Sequence, residues 1–289
     1  GWMGDIHADC LNKIEGMKMT AFCDLNLENA KKMCEKYNGD YFTRDVDRLM
    51  KDDSLDAIYV CTYHDTHKDL ALKCAEYKKN VFMEKPLALK VDEIYEIGNA
   101  VDKSGILFML GLKSRFYPSI KKAKEFIKDP VLSIGQLIDV KWPSDFWAND
   151  PEKGGGNVMS QGCHMMDLLC YFNGSEPESI FAYGGNYNHP GIDIIDNIAA
   201  TIKFKNNSMA SATIGDSGIN PLLSKFSLQL FEENKSVHLY DRLKTAVFNE
   251  GGNQTAHKDD EEYAFLEENK YFVHCIKNKI TPFVGWKDG

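Results

Sequence analysis

The first 111 residues alternate short apolar runs with segments whose apolar positions recur at helical spacing. Residues 57–61 (AIYVC) are apolar throughout and partly β-branched, which indicates a buried strand. In residues 64–78, Cys74 follows Leu70 by four positions and Ala71 by three, which is the spacing of an apolar stripe along one face of a helix. Strands that alternate with helices of about 10–15 residues are typical of βαβ units, so this region predicts a parallel, doubly wound α/β sheet. The predicted elements are helices at 3–14, 27–37, 44–50, 64–78 and 91–103, and strands at 17–23, 57–61, 80–83 and 106–112.

The pattern changes after Leu112. Between residues 180 and 240, four or five short strands follow one another, separated by turn signals such as Asn206-Asn207. Consecutive strands favour an α+β domain with a mostly antiparallel, mixed sheet that is covered by a few helices. We place the boundary near Gly111, with one domain at 1–111 and a second at 112–289. The other predicted elements are helices at 118–128, 161–172 and 261–277, a strand at 135–142, and an irregular stretch at 143–156 rich in Gly, Pro, Asp and Trp.

Composition agrees with two domains, because 289 residues at about 150 per domain give about two. The 34 basic and 43 acidic side chains leave a net charge of −9, and no basic stripe is present, which excludes nucleic acid as a partner. No apolar run approaches the roughly 20 residues that span a bilayer, so we expect no membrane association. The eight cysteines include no CxxC pair, which is typical of free thiols in a reducing compartment, and we predict a cytoplasmic protein.

The chain opens with two glycines at the head of the first predicted helix. Gly1, Trp2, Met3 and Gly4 match the second half of a G-x-G-x-x-G fingerprint, in which glycine lets the backbone approach a pyrophosphate and the helix N-terminus supplies amide donors. A G-x-x-G pair alone is weak evidence, and two glycines at the start of a chain are the alternative.

Asp24 strengthens the nucleotide interpretation. It ends the next predicted strand, twenty positions after Gly4, where an acid is expected to bind the ribose hydroxyls of NAD. Leu25 and Asn26 follow, with no arginine to receive a 2′-phosphate, which favours NAD over NADP. Asp24 could also simply cap the helix at 27–37, and the two roles are compatible.

The most informative string is residues 57–87, in which two strands deliver polar side chains to one edge of the sheet. The first strand is followed by Thr62, His64 and His67, and the second by Glu84 and Lys85. Cofactors bind at the carboxyl ends of strands in open α/β sheets, so all five are candidates for contact with NAD. A lysine there is a plausible proton-transfer group, although a solvated lysine paired with Glu84 is the structural alternative.

Four strings resemble the glucose–fructose oxidoreductase/inositol dehydrogenase (Gfo/Idh/MocA) family. They are C-T-x-x-x-x-H at 61–67, V-F-M-E-K-P-L-A at 81–88, G-L-K-S-R-F at 111–116, and G-G-G-N-V-M-S-Q-G-C-H-M-M-D at 154–167. The resemblance covers nearly the whole chain. It implies a Rossmann-like NAD-binding domain followed by a substrate-binding and oligomerisation domain. It also implies that Lys85 is catalytic and that His164 faces the substrate.

Ser160 departs from the family pattern. The family places an acid there that works beside the histidine, and a serine carries no charge near neutral pH, so it cannot raise the basicity of His164. Either Lys85 and His164 suffice, or the substrate or reaction differs from standard polyol oxidation. Asp167 lies one turn after His164, where it could orient the imidazole or serve as an ordinary structural acid.

Three further residues are weaker candidates for contact with substrate. Arg115 and Tyr117 follow the last strand of the first domain, where the family lines its cleft, with a structural ion pair as the alternative for the arginine. Trp147 lies in the irregular stretch and could stack on a sugar, or pack within its loop. The histidines outside these motifs show no metal-ligand spacing, so we predict no metal site.

Together these features predict an NAD(H)-dependent dehydrogenase or reductase that acts on a hydroxyl or keto group of a sugar, polyol or sugar derivative. A redox-neutral enzyme that uses NAD transiently, and a non-catalytic sensor, are the alternatives. The resemblance implies a homodimer or homotetramer. Both ends of the chain look cut: we expect a first, central strand to be missing before Gly1 and a helix after Gly289, and therefore a fragment that is unstable and binds NAD poorly.

Overall fold

The computed structural model describes residues 1–218, 224–259 and 264–289. These residues form two compact units. Unit 1 contains Gly1–Gly111 and Phe265–Gly289, and unit 2 contains Leu112–Ala264. None of the helices in these parts of the chain combines the length and apolar composition that crossing a membrane requires.

Unit 1 is built from short parallel strands that alternate with helices. Its strands are Ala21–Cys23 (β1), Tyr41–Thr43 (β2), Ala57–Val60 (β3), Asn80–Met83 (β4) and Phe108–Leu110 (β5). Its helices are Trp2–Leu11 (α1), Leu27–Lys36 (α2), Val46–Met50 (α3), His67–Glu76 (α4), Val91–Ser104 (α5) and, from the end of the chain, most of Ala264–Asn278 (α8). β1 pairs with β2 in one parallel sheet, and β3, β4 and β5 pair in that order in another. The predicted parallel, Rossmann-like architecture is confirmed. The sequence missed β2, a run of three residues directly between two charged side chains, Asp40 and Arg44.

The last part of the chain belongs to unit 1, which corrects the assignment of all of 112–289 to the second domain. The Phe272 side chain of α8 is 1 % exposed, and its ring lies 5.7 Å from that of Phe82 in the middle of β4. The Leu110 amide donates to the Val284 carbonyl oxygen at 3.3 Å. The helix therefore covers apolar surface on the β3–β5 sheet that would otherwise face water. Residues 261–263 of the predicted final helix lie outside the described residues.

Unit 2 contains one eight-stranded sheet. Its strands are Leu132–Val140 (β6), Pro177–Gly185 (β7), Asn197–Phe204 (β8), Met209–Gly218 (β9), Phe226–Glu232 (β10), Lys235–Tyr240 (β11), Thr245–Glu250 (β12) and Asn253–Lys258 (β13), and its helices are Pro118–Phe126 (α6) and Gly156–Asn173 (α7). The strand order is β13-β12-β11-β10-β6-β9-β8-β7, with β6 parallel to β9 and the other neighbours antiparallel. The predicted mixed, mostly antiparallel sheet is confirmed, although the sequence missed β12 and β13.

Helix α7 packs directly on this sheet. A Cβ at Gly135 of β6 would lie 2.5 Å from the sulfur of Met165, and a Cβ at Gly162 would lie 3.2 Å from a methyl carbon of Ile214 on β9. Glycine at 135 therefore lets helix and sheet approach closely. On the other side, strand β7 forms an edge of the sheet, and its residues are exposed nearly throughout.

Candidate active site

The start of α1 carries the glycine pair that the sequence assigned to a nucleotide. Gly1 is the N-cap, and Trp2, Met3 and Gly4 form the first turn, which no side chain caps. The Asp24 carboxylate lies 3.7 Å from the Gly1 amino nitrogen, and it accepts a hydrogen bond from the Asn26 amide at 2.8 Å. The structure thus brings the acid that ends β1 to the amide donors at the head of α1, the arrangement that a pyrophosphate and its adjoining ribose require.

His67 joins the ends of β3 and β4. Its Nδ1 lies 2.8 Å from the Pro86 carbonyl oxygen and its Nε2 lies 3.3 Å from that of Thr62. The ring is fully buried, and burial lowers the pKa of His67 although both carbonyl contacts favour protonation. The neutral ring has one proton to donate, and we assign it to the shorter contact with Pro86. His67 therefore fixes the backbone on either side of the candidate nucleotide residues.

Thr62, His64 and Tyr63 lie just beyond the end of β3. The Thr62 hydroxyl is 2.7 Å from that of Thr66, and the Thr66 hydroxyl also approaches the Tyr63 carbonyl oxygen at 2.7 Å. His64 is buried and begins a single turn of 3₁₀ helix that precedes α4, whereas the sequence predicted one continuous helix from 64 to 78. Thr62 is exposed at this edge of the sheet.

Glu84 holds the backbone of the candidate catalytic lysine. Its Oε2 accepts a hydrogen bond from the Lys85 amide at 3.1 Å, and its Oε1 lies 2.8 Å from His7 Nε2. Glu84 and His7 are both buried, and the far side of the His7 ring contacts the Asn269 side chain of α8. The Lys85 side chain is half-buried, and the Lys85–Pro86 peptide bond is cis. Glu84 thus positions residue 85 from within the core of unit 1.

Sequence reasoning missed His7 and Asn269. His7 lies three positions after Gly4, on the buried face of α1. That position was the only signal available, because its partners Glu84 and Asn269 are remote in the chain.

In unit 2, the triple glycine sets the entry to α7. A Cβ at Gly154 would lie 2.3 Å from the backbone of Ala148, so no other residue fits there without movement. Gly155 and Gly156 have φ of +73° and +86°, in the left-handed region that favours glycine. The helix begins at Gly156, five residues earlier than predicted, because this turn belongs to its N-terminus.

Helix α7 carries Ser160, His164 and Asp167 on one buried face. These three residues are 4 %, 4 % and 6 % exposed, in that order. Their spacings of four and three positions place each about one helical turn from the next. The His164 ring lies 6.4 Å from that of Phe226, measured between centroids. The helix thus presents an uncharged hydroxyl and an imidazole side by side.

Asp167 forms a buried ion pair with Arg115. The Arg115 Nε donates to both carboxylate oxygens, at 3.0 and 3.2 Å, and one terminal nitrogen also contacts Oδ1. The guanidinium carbon lies 4.9 Å from the centre of the Tyr171 ring. Arg115 and Asp167 therefore form a structural ion pair, which was the alternative to substrate contact for Arg115.

Tyr117 and Trp147 occupy the remaining candidate positions. Tyr117 is 4 % exposed and precedes α6, whereas Trp147 is half-buried, with its ring 5.7 Å from that of Phe146. The Trp147 contact is the loop packing that the sequence analysis named as the alternative to sugar stacking.

The residues of unit 1 fit NAD. The uncapped start of α1 leaves backbone amides available to a pyrophosphate, and Asp24 stands beside them with its carboxylate. The ends of β3 and β4 lie side by side, with Val60 paired to Met83, so Thr62 and Lys85 follow neighbouring strands. These residues would hold the dinucleotide, and Lys85 follows the strand end at which such cofactors react.

Comparison with known proteins shows the family of the chain. The family described as an oxidoreductase family with an NAD-binding Rossmann fold matches residues 1–112, and the GFO/IDH/MocA C-terminal domain matches residues 131–218. Together the two matches cover more than half of the chain.

Three individual proteins illustrate the range of relatives. The chain is 28% identical to the myo-inositol 2-dehydrogenase of Thermotoga maritima over 307 residues, which cover 100% of this chain and 90% of that protein. It is 29% identical over 222 residues to the 2,7-anhydro-N-acetylneuraminate hydratase of Mediterraneibacter gnavus, covering 73% of this chain and 58% of the hydratase. The structure of a levoglucosan dehydrogenase in complex with NADH and levoglucosan aligns over 100% of this chain and 90% of its own, with a TM-score of 0.90 and 16% identity.

Several curated relatives are matched over only part of their length, and the chain spans less than two thirds of them. The family strings identified in the sequence fall within or between the two matched regions, and the parallel and mixed sheets have the corresponding architecture. The chain belongs to the Gfo/Idh/MocA family of NAD-binding oxidoreductases.

Proposed function

We propose that this protein oxidises a hydroxyl group, or reduces the corresponding keto group, on a sugar, polyol or sugar derivative. The observation that carries the proposal is Lys85, which follows β4 in an NAD-binding Rossmann fold and whose amide is held by the buried Glu84 carboxylate. Bound NAD supplies the hydride acceptor in oxidation and, as NADH, the hydride donor in reduction. The chain itself supplies binding, orientation and proton transfer.

Lys85 moves the proton. In oxidation its uncharged ε-amine accepts the proton of the substrate hydroxyl while the hydroxyl carbon loses a hydride, so the carbonyl forms without a free proton being released at the site. In reduction the ammonium returns that proton to the carbonyl oxygen. Because Glu84 contacts both the Lys85 amide and His7, the backbone that carries the amine is fixed before substrate arrives.

His164 orients the hydroxyl. The imidazole would hydrogen-bond the reacting hydroxyl or its neighbour and share in proton transfer. Ser160 on the same face of α7 supplies a neutral hydroxyl where the family has an acid, and Asp167 is engaged by Arg115. Lys85 carries most of the acid–base work in this proposal, because a serine cannot raise the basicity of the imidazole as the family's acid would.

A spectrophotometric screen tests the proposal. Sugars and polyols are offered with NAD and with NADP, and absorbance at 340 nm is followed. We expect NADH production with NAD, larger than with NADP because Asp24 would repel a 2′-phosphate. Unchanged turnover in the Lys85→Ala variant would overturn the assignment.

A redox-neutral reaction is the second candidate, and Ser160 is the observation that favours it. Loss of the family acid weakens the case for a standard dehydrogenase, and a relative of similar identity is a hydratase. Conversion of a sugar substrate without net NADH, detected by product analysis, would select this candidate over the first.

We further infer that copies of this chain associate through the edge of the unit 2 sheet, as a homodimer or homotetramer. Ile180, Phe181 and Tyr183 of β7 are 59 %, 66 % and 73 % exposed, on a strand with an unpaired edge. Large apolar side chains on an exposed sheet edge are typical of an interface, and the family resemblance supports a second copy as the occupant.

The cytoplasm remains the proposed compartment. All eight cysteines are free thiols, and burial raises the pKa of several of them, for example Cys74 to about 12. Buried thiols of this kind behave as small apolar side chains and persist in a reducing environment.

A further inference from the structure

The loop between β7 and β8 is closed by one buried carboxylate, that of Asp196. Its Oδ1 accepts from the Tyr187 amide at 2.9 Å and the Asn197 side chain at 2.8 Å, and its Oδ2 accepts from the Asn188 and His189 amides at 2.6 and 2.9 Å. Burial raises the pKa of Asp196, but the backbone and side-chain donors together outweigh it and the pKa is lowered. Asp196 is therefore a buried anion whose lone pairs are filled by four N–H donors.

The same loop is tied to β9 by a buried pair of His189 and Asp216. The His189 Nε2 lies 2.5 Å from an Asp216 carboxylate oxygen, and both side chains are 0% exposed. Among the described residues no group hydrogen-bonds the His189 Nδ1. A proton on Nε2 can be donated to Asp216 in this geometry, and Nδ1 then carries a lone pair rather than an N–H that would need an acceptor. The Asn188 side chain adds a bond to the Asp216 carbonyl oxygen at 3.0 Å.

The group of His189, Asp196 and Asp216 is better explained as a hydrogen-bonded cluster that holds the loop than as a metal site. The ligand atoms of His189, Asp196 and Asp216 lie within 4.8 Å of one another, which is the spacing that invites a metal interpretation. Both carboxylate oxygens of Asp196, however, already accept hydrogen bonds from four N–H groups. A cation would have to displace these donors to reach a lone pair of Asp196.

The cluster follows the stretch of β9 that packs on α7. Along β9, Ile214 contacts Gly162 of the helix, and Asp216 is a buried residue two positions further along the strand. Gly135, which pairs with a β9 residue two positions before Ile214, contacts Met165, so the strand and the helix run in opposite directions. Asp216 therefore lies beyond Ile214 in the direction of the start of the helix.

The loop also contacts the start of the helix directly. A Cβ at Gly156, the first residue of α7, would lie 3.1 Å from the Cβ of Ile194, which is 7% exposed. Loop and helix entry are thus packed against each other on one side, while His189 anchors the loop to the strand below.

We propose that the His189–Asp216 pair is a positioning element for the substrate: it fixes residues 186–196 against the entry of α7 and so sets the position of Ser160 and His164. The inference rests on the proposed function, in which His164 contacts the substrate hydroxyl. Neither His189 nor Asp216 touches substrate, because both are completely buried. Their loss shifts the helix entry and misplaces the imidazole.

Three variants test the proposal. His189→Phe fills the space without a hydrogen bond, and His189→Gln restores a side-chain N–H donor toward Asp216. His257→Gln is the control, since it removes another His–Asp pair of unit 2, at 2.7 Å from Asp259, on β13 at the opposite edge of the sheet from β7. For a substrate found in the screen, we expect His189→Phe to lower kcat/KM about a hundredfold, the effect of a misplacement of about 1 Å. The KM for NAD should stay at the wild-type value, and His189→Gln should recover part of the loss.

Hydrogen exchange provides a readout that does not depend on activity. The amides of residues 160–163, which bond to carbonyls in the first turn of α7, should exchange faster in His189→Phe and at the wild-type rate in His257→Gln. If the wild-type protein oxidises no substrate of the screen, the proposed function fails, while the comparison of exchange rates still tests whether His189 and Asp216 hold the entry of α7 in place. Equal exchange of α7 in all variants, a fall in Tm with kcat/KM unchanged, or a stoichiometric metal in the purified protein would each overturn the proposal.

Discussion

Removal of the Asp167 carboxylate separates a structural role from a chemical one. Asp167 is 1 % exposed as a side chain and Arg115 is 7 % exposed, and the arginine contacts both carboxylate oxygens. Asp167→Ala leaves a buried guanidinium without its anion, and breaking a buried pair in this way costs about 3–5 kcal/mol. Unit 2 has about 150 residues, for which each kcal/mol shifts Tm by about 2–4 °C, so we expect a loss of about 6–20 °C.

Calorimetry of three variants measures this effect. Asp167→Asn keeps an acceptor oxygen and the side-chain shape, so its loss should be smaller than that of Asp167→Ala. The double variant Arg115→Met/Asp167→Leu removes both charges and should recover most of the stability. In each variant that remains folded, kcat should stay within the range of wild type, because both carboxylate oxygens accept from the buried guanidinium of Arg115. A Tm equal to wild type together with a large loss of kcat in Asp167→Asn would refute this reasoning and assign the carboxylate to His164.

Three further predictions follow from the sites described above. Lys85→Ala should lower kcat by about 10²–10⁴-fold, the usual contribution of a general acid–base group, while the calorimetric affinity for NAD changes far less, because Lys85 is one of several residues that hold the dinucleotide. Because the pKa of His67 is lowered in the folded protein, the unfolded chain binds a proton at this residue more readily. The contribution of the neutral, buried His67 to the free energy of unfolding is therefore complete above about pH 6.5 and is lost as pH falls through the folded pKa. His67→Asn should flatten the dependence of Tm on pH between about 5 and 7. Phe181→Asp should shift light-scattering mass toward the monomer without changing the far-UV spectrum, and an unchanged mass would exclude the β7 edge as the interface.

Local patterns predicted the elements of unit 1 well because its buried strands and amphipathic helices each carry their own period. Strand β4 at Asn80–Met83 was predicted residue for residue. Strand β2, at Tyr41–Thr43, was missed because its three residues lie directly between Asp40 and Arg44, with no longer apolar run around them. The strands Thr245–Glu250 and Asn253–Lys258 are rich in polar residues and charged at their ends, and only their pairing at the sheet edge makes them strands.

The candidate site was predictable where chemistry and motif coincide, and not where partners are remote. Lys85 and His164 were found from short strings. The partner of Asp167, however, lies 52 positions away and that of His7 lies 77 positions away, and no local pattern connects such pairs. The proximity of Asp196 to His189 and Asp216 has the same origin, since a loop and a strand must fold together before the three meet.

The placement of α8 in unit 1 has a consequence for synthesis. The nascent chain makes all strands of the β3–β5 sheet first, yet Phe272, which packs on Phe82, leaves the ribosome about 160 residues after Phe108 begins the last of those strands. Unit 2 is translated entirely within that interval. The apolar surface around Phe82 therefore stays exposed to water, or covered by a chaperone, until α8 has been synthesised. Substitutions in α8 should consequently affect the yield of folded protein more than its affinity for ligands.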